Sequence, residues 1–136
     1  MGNRAIITTE PYKPSNVGIY VHWNGGQESV EAFLAVAKDL DVRSPAGDTD
    51  YAMARLAQII ANFFGGTLSI GVGKVADMDS GDNGIYTIGR DWKLVQCKAK
   101  YAAKLGALSQ FQKEKLHAVY DEAMAINKPI FEGGEK

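Results

Sequence analysis

This chain lacks most of the features that make a protein's chemistry easy to name. It has one cysteine, Cys97, so neither an intrachain disulfide nor a cysteine-based zinc site can form. It has two histidines, and His22 has no paired carboxylate or metal-ligand set beside it in the sequence. Neither sign of charge is in excess. A net charge of -1 excludes broad binding to phosphate backbones, which needs a clear Lys/Arg surplus, and equally a strongly acidic DNA mimic. No segment approaches the run of about 20 apolar residues that crosses a bilayer. The start, Met1-Gly-Asn-Arg-Ala, has no signal-peptide hydrophobic core, and Ile6 stands where a myristoylation motif needs Ser or Thr, so a cytoplasmic location is expected. There is no P-loop, no Gly-x-Ser-x-Gly elbow, no internal repeat and no low-complexity segment.

What remains is an ordinary globular composition, 46% hydrophobic and 23% charged in 136 residues. A chain of this size makes one domain and buries about two-thirds of its unfolded surface. The β-branched run Arg4–Thr9 reads as a strand, broken by Pro11, Pro14, Ser15 and Asn16 and returning antiparallel over Val17–His22. Arg4, Ile6 and Thr8 then share a face with Tyr20 and His22. Val30, Phe33, Leu34 and Ala37 carry the period of a helix that ends near Leu40. A second helix, about Asp50–Phe64, is capped by Asp48 or Thr49 and stopped by Gly65-Gly66. Apolar residues cover most of its circumference, so it is expected to be the most buried helix and the spine of the core.

Thr67–Gly73 reads as a short strand, Asp77–Gly84 as an acidic loop, and Ile85–Ile88 with Trp92–Cys97 as a second hairpin. Lys98–Leu105 reads as a short helix. A last helix starts at the capping-box spacing of Ser109 and Gln112, shows Leu116, Val119, Tyr120 and Ala123 on one stripe, and ends by Pro129 and Gly133-Gly134. The fold class expected is α+β: an antiparallel sheet built from two hairpins, with helices packed on one face. The single domain 1–136 divides into a core over 1–97 and a C-terminal helical segment over 98–136, whose apolar stripe offers a homodimer contact.

Chemistry concentrates in Gly18-Ile-Tyr-Val-His-Trp-Asn-Gly-Gly26. Strand alternation puts Ile19, Val21 and Trp23 toward the core and Tyr20 with His22 on the other face. An imidazole, a group able to act as general acid or base, and a phenol then stand beside an Asn24-Gly25-Gly26 turn whose amides can approach an anion at the following helix N-terminus. Arg4 brings a forked guanidinium from the neighbouring strand, and Arg55 is a cation on an apolar helix, where it needs a partner. The candidate ligand-binding set is therefore Arg4, Tyr20, His22, Asn24, Gly25 and Arg55. No metal site or cofactor is expected: Asp77, Asp79, Asp82 and Asn83 alternate like cation ligands but lack the EF-hand order, and read as a solvated turn. Cys97, on a strand without a nearby base, and His117, among charged residues of the last helix, read as structural.

The blocks Asn3–Thr8, Gly18–Gly26, Ser29–Leu34, Asn62–Gly66 and Asp82–Tyr86 with Trp92 together resemble a family of small proteins encoded in phages, prophages and integrative elements of bacteria. The resemblance spans residues 3 to about 94 and carries over no catalytic residue. It implies a role in the bacterial host cytoplasm against host immunity. Trp23-Asn24-Gly25 is also similar to a Trp-Asn-Gly element in nucleotide-sequestering phage proteins. The expected function is sequestration of a small nucleotide-like signal. The alternatives are an anti-CRISPR-type inhibitor that binds a host defence protein and a phosphodiesterase or hydrolase using His22.

Overall fold

A computed structural model describes residues 2–65, 69–81, 83–98 and 105–133. The elements in chain order are strands β1 (Ala5–Thr9) and β2 (Val17–Val21), helices α1 (Gln27–Asp39) and α2 (Thr49–Phe64), strands β3 (Ile70–Lys74), β4 (Ile85–Ile88) and β5 (Leu94–Lys98), and helix α3 (Gln110–Gly133). The fold is α+β. The five strands form one sheet in the order β3-β2-β1-β4-β5.

The sheet is mixed, which corrects the expectation of an all-antiparallel one. β1 pairs antiparallel with β2, with Ile6 opposite Tyr20, but pairs parallel with β4, with Ile7 opposite Tyr86. β2–β3 and β4–β5 are antiparallel. The parallel pair has a geometric consequence. Parallel strands need a crossover, so the chain leaving β3 must pass beneath β2 and β1 to reach the start of β4. Residues 75–84 make that passage. Val75 and Ala76 donate to the carbonyls of Asn16 and Pro14, and Asn83 donates to that of Arg4.

The two faces of the sheet are therefore covered differently. On one face Ala5, Ile7, Ile19 and Val21 join Phe33, Leu56, Ile59 and Ile60 in a single buried cluster under α1 and α2. On the other, Ile6 packs against Val75 and Met78 of the crossover. Gly18 lies between them, since a Cβ there would sit 2.8 Å from Ile6 and 3.0 Å from Val75.

α1, not α2, is the most enclosed helix. It buries Glu28, Ser29, Val30, Ala32, Phe33, Leu34, Val36 and Ala37, against Ala52, Met53, Leu56, Ile59 and Ile60 for the longer α2. The reason is the third layer: α3 packs mainly on α1 and also touches α2, while the Arg90–Trp92 turn covers α1 as well. The caps of α2 follow the sequence, with Asp48 accepting from the Tyr51 amide and Gly65 left-handed at φ 70°. Ser109 and Gln112 form the reciprocal capping box of α3, at 2.9 and 3.1 Å.

Other expectations are revised. Lys98 belongs to β5, so the strand runs past the expected core boundary at 97; residues 99–104 of the short helix lie outside the described residues, as do Gly66, Thr67, Asp82 and Gly134. Trp92 does not open β5. It sits in a 3-10 turn with its indole N–H donating to the Val42 carbonyl at 3.0 Å. α3 continues through Pro129 to Gly133. Its Val119 and Ala123 are buried where α3 packs on α1 and α2, with Leu116 and Tyr120 partly buried beside them. The stripe expected to hold a second copy is thus used within the chain. Among the described residues no helix is long and apolar enough to cross a membrane.

Candidate functional site

Strand β2 ends at Val21, and the next three residues turn away from the sheet. The alternation that would have buried Trp23 stops there. Trp23 is 45% exposed, which corrects its assignment to the core. Its indole meets the His22 ring edge-on, with centroids 4.8 Å apart. Asn24 follows in the left-handed region at φ 57°, a conformation Asn tolerates better than most residues. Its side-chain amide donates to Ser29 Oγ at 3.2 Å, fixing the bend to the first turn of α1.

Tyr20 and His22 do project together, half-buried, on the crossover side of the sheet. The Tyr20 hydroxyl and His22 Nδ1 are 2.9 Å apart. That contact engages the Nδ1 edge of the ring. Gly2 of the N-terminal segment runs beside the opposite edge, since a Cβ built on it would lie 3.0 Å from Nε2. The backbone is also engaged: His22 N–H donates to the Ser69 carbonyl and its own carbonyl accepts from Asn3, both at 2.8 Å. His22 is thus a buttress for Trp23 more than an open acid or base.

The remaining members of the expected anion site have partners of their own. Arg4 Nη1 is 3.0 Å from Asp79 Oδ2, and its stem lies on Gly81, so it ties the crossover to β1. Its Nε is buried without a partner. Gly25 N–H donates to the Asn3 carbonyl at 2.8 Å and is unavailable to a ligand. A Cβ there would collide with that carbonyl, which is the physical demand for glycine. The N-terminus of α1 is occupied by the Glu28 carboxylate, which folds back over Gly26 and accepts from Ser29 N–H at 3.3 Å. A second anion there would meet like charge. Several donors expected to border a hollow are therefore engaged within the chain, and Arg4, Tyr20, His22, Asn24 and Gly25 are not among the residues that line the cavities described here.

Arg55 stands apart from these five. It lines a cavity of about 730 Å³ between the end of α1, α2 and α3, and its guanidinium lies over the Tyr51 ring at 5.3 Å. Asn62, the other polar residue of α2, is explained by Asn127, a fully buried side chain of α3. Asn62 donates to Asn127 Oδ1 at 2.9 Å, and Asn127 donates to the Ile59 and Ala123 carbonyls at 3.1 and 2.9 Å.

The other candidates have partners within the chain at several points. Asp79 accepts from Gly81 N–H at 2.9 Å, and Asn83 donates to the Asn3 side chain and the Arg4 carbonyl. Among the described residues no group of His, Cys, Asp or Glu is placed to hold a metal ion. Burial pushes the Cys97 thiol up, and its Sγ donates to the Asn83 carbonyl at 3.2 Å, so a reactive thiolate is disfavoured. Tyr86 is likewise pushed well up, first by burial and then by the charges of Cys97, Glu28 and Glu31. Comparison with protein-family models, with characterised proteins and with solved structures finds no match.

The residue that sequence reasoning missed is Trp23. Its signal was present, since Asn24-Gly25-Gly26 directly follows and a turn that early ends strand alternation.

Proposed function

We propose that this protein acts by surface-mediated binding rather than catalysis. On the family resemblance, it is an accessory protein of a phage or mobile element that engages a host defence protein. The observation that carries the reading is the exposed Trp23 indole, held rigidly by His22 behind it and Asn24 beside it. Exposed aromatic anchors on a pre-organised support dominate the energetics of protein interfaces. A hydrolase reading finds no support in His22, whose Nδ1 is engaged by Tyr20 and whose other edge faces Gly2.

The test is expression in a defended host together with affinity capture. The wild-type chain is expected to protect an infecting phage and to capture one defence component. Trp23→Ala should lose both while its circular dichroism is unchanged. A Trp23→Ala protein that protects and captures as well as wild type would remove this reading.

The second reading is sequestration of a small nucleotide-like signal, although several donors named beside His22 have partners within the chain. It retains one of its named residues, Arg55, which faces a real cavity.

A further inference from the structure

The cavity around Arg55 has three helical walls. Leu40, Asp41 and Val42 close the end of α1, Tyr51 and Arg55 come from α2, and α3 contributes Met124, Lys128 and Phe131. At about 730 Å³ it falls in the range of small-molecule sites, roughly 300–1,000 Å³. Its charges are unequally satisfied. Asp39 accepts the Tyr120 hydroxyl, which ties the end of α1 to α3. Glu132 lies 4.0 Å from Lys128. Asp41 is exposed at the rim with φ 58°. Arg55 has no carboxylate partner among the described residues, and its Nε is buried with no hydrogen bond. A cation in that position, laid over an aromatic ring beside apolar side chains, is half of a recognition pair.

We propose that this cavity binds a small organic anion with a flat apolar body. Arg55 takes the carboxylate or phosphate monoester, and the body lies against Met124 and Phe131, since the Tyr51 ring already carries the Arg43 and Arg55 guanidiniums. Lys128 adds a second positive charge at the mouth, offset by Glu132. The exposed Asp41 disfavours ligands that carry a second acid group at their outer end and favours an N–H donor there. This site is separate from the Trp23 surface. It deepens the second reading above only if the bound anion is a nucleotide, and the two sites fail independently.

The experiment is calorimetric titration of the full chain with benzoate, phenyl phosphate, adenosine monophosphate, inorganic phosphate and neutral adenosine. At least one of the first three is expected to bind, about tenfold or more tightly than its uncharged or bodiless counterpart. Arg55→Gln should weaken that ligand by about tenfold or more, and Arg55→Lys by less, because the lysine keeps the charge and loses the fork. Met124→Trp, which fills the cavity and leaves Arg55 in place, should also abolish binding with the helical circular dichroism retained. Trp23→Ala should bind as wild type. Preference for adenosine monophosphate over the other two extends the proposal to nucleotides. The proposal is overturned if no probe binds at millimolar concentration, if Arg55→Gln binds as tightly as wild type, or if Trp23→Ala loses the ligand as Arg55→Gln does.

Discussion

The two faces of the sheet are built from the same strands and have opposite characters. Beneath α1 and α2, Ala5, Ile7, Ile19 and Val21 enter an apolar cluster two helical layers deep, because α3 roofs α1. Beneath the 75–84 crossover, Arg4, Ile6, Thr8, Tyr20 and His22 meet a single strand of chain, and polar ties do much of the holding. Thr8 Oγ1 donates to the Val17 carbonyl at 2.8 Å, Arg4 meets Asp79, and Tyr20 meets His22. Ile6 and Thr8 are fully buried there, while Arg4, Tyr20 and His22 are amphipathic and only half-buried. The face with the weaker cover is the one that displays Trp23. The lesson is that stability and display are divided between the faces of one sheet.

That division predicts unequal sensitivity to substitution. The largest effect belongs to Phe33→Ala on the helix-covered face, where a fully buried ring packs edge-on against Phe63 at 5.2 Å. A loss of about 3–5 kcal/mol is expected in urea unfolding. A loss below about 1 kcal/mol would contradict a deep core there.

Gly18→Ala probes the crossover face. The new methyl meets Ile6, Val75 and Met78, and the flexible Met78 end can yield while Ile6 and Val75 cannot. The expected loss is about 1–3 kcal/mol, with faster proteolysis within 75–84 than in wild type. If Gly18→Ala were neutral, the crossover would not be seated on the sheet as described.

The smallest effect sharpens the helix side. Tyr120 is pushed up to about 12, first by its hydrogen bond to Asp39 and then by burial and nearby acid charge. A phenol raised above its ordinary value near 10 lends stability that is full below about pH 10 and is lost as pH rises through about 12. The stability difference between wild type and Tyr120→Phe should therefore shrink over that window, with one late-titrating phenol missing from the variant's absorbance titration. A Tyr120 that ionises near pH 10 would mean the tie between α1 and α3 does not form.

The sequence was informative where local rules act alone. The Asp48 cap, the Gly65 stop and the Ser109–Gln112 capping box follow from neighbours a few residues apart, and the β1–β2 pairing from two strands joined by one short connection. Arg4 and His22 were correctly assigned to one face by alternation. Alternation also misplaced Trp23, because the strand stops two residues earlier than the apolar pattern suggests. The rank order of helix burial was missed for a different reason. α2 has the more apolar circumference, but burial depends on what covers a helix, and α3 covers α1 most.

The engagement of the expected site was hidden for the same cause. Asn3 accepts from the Gly25 amide, Glu28 from the Ser29 amide at the α1 N-terminus and Asp79 from Arg4 Nη1, and only Glu28 lies close to its partner in the chain.

By itself the chain's order of residues determined the elements, their caps and which side chains share a strand face, since these depend on backbone sterics and periodicity over a few residues. Tertiary structure alone decided that β4 lies parallel to β1, that residues 75–84 therefore cross beneath the sheet, and that Arg55 faces a three-walled cavity far from the strand whose chemistry looked richest. Those outcomes depend on contacts between residues tens of positions apart, and such contacts are set by how whole faces find cover.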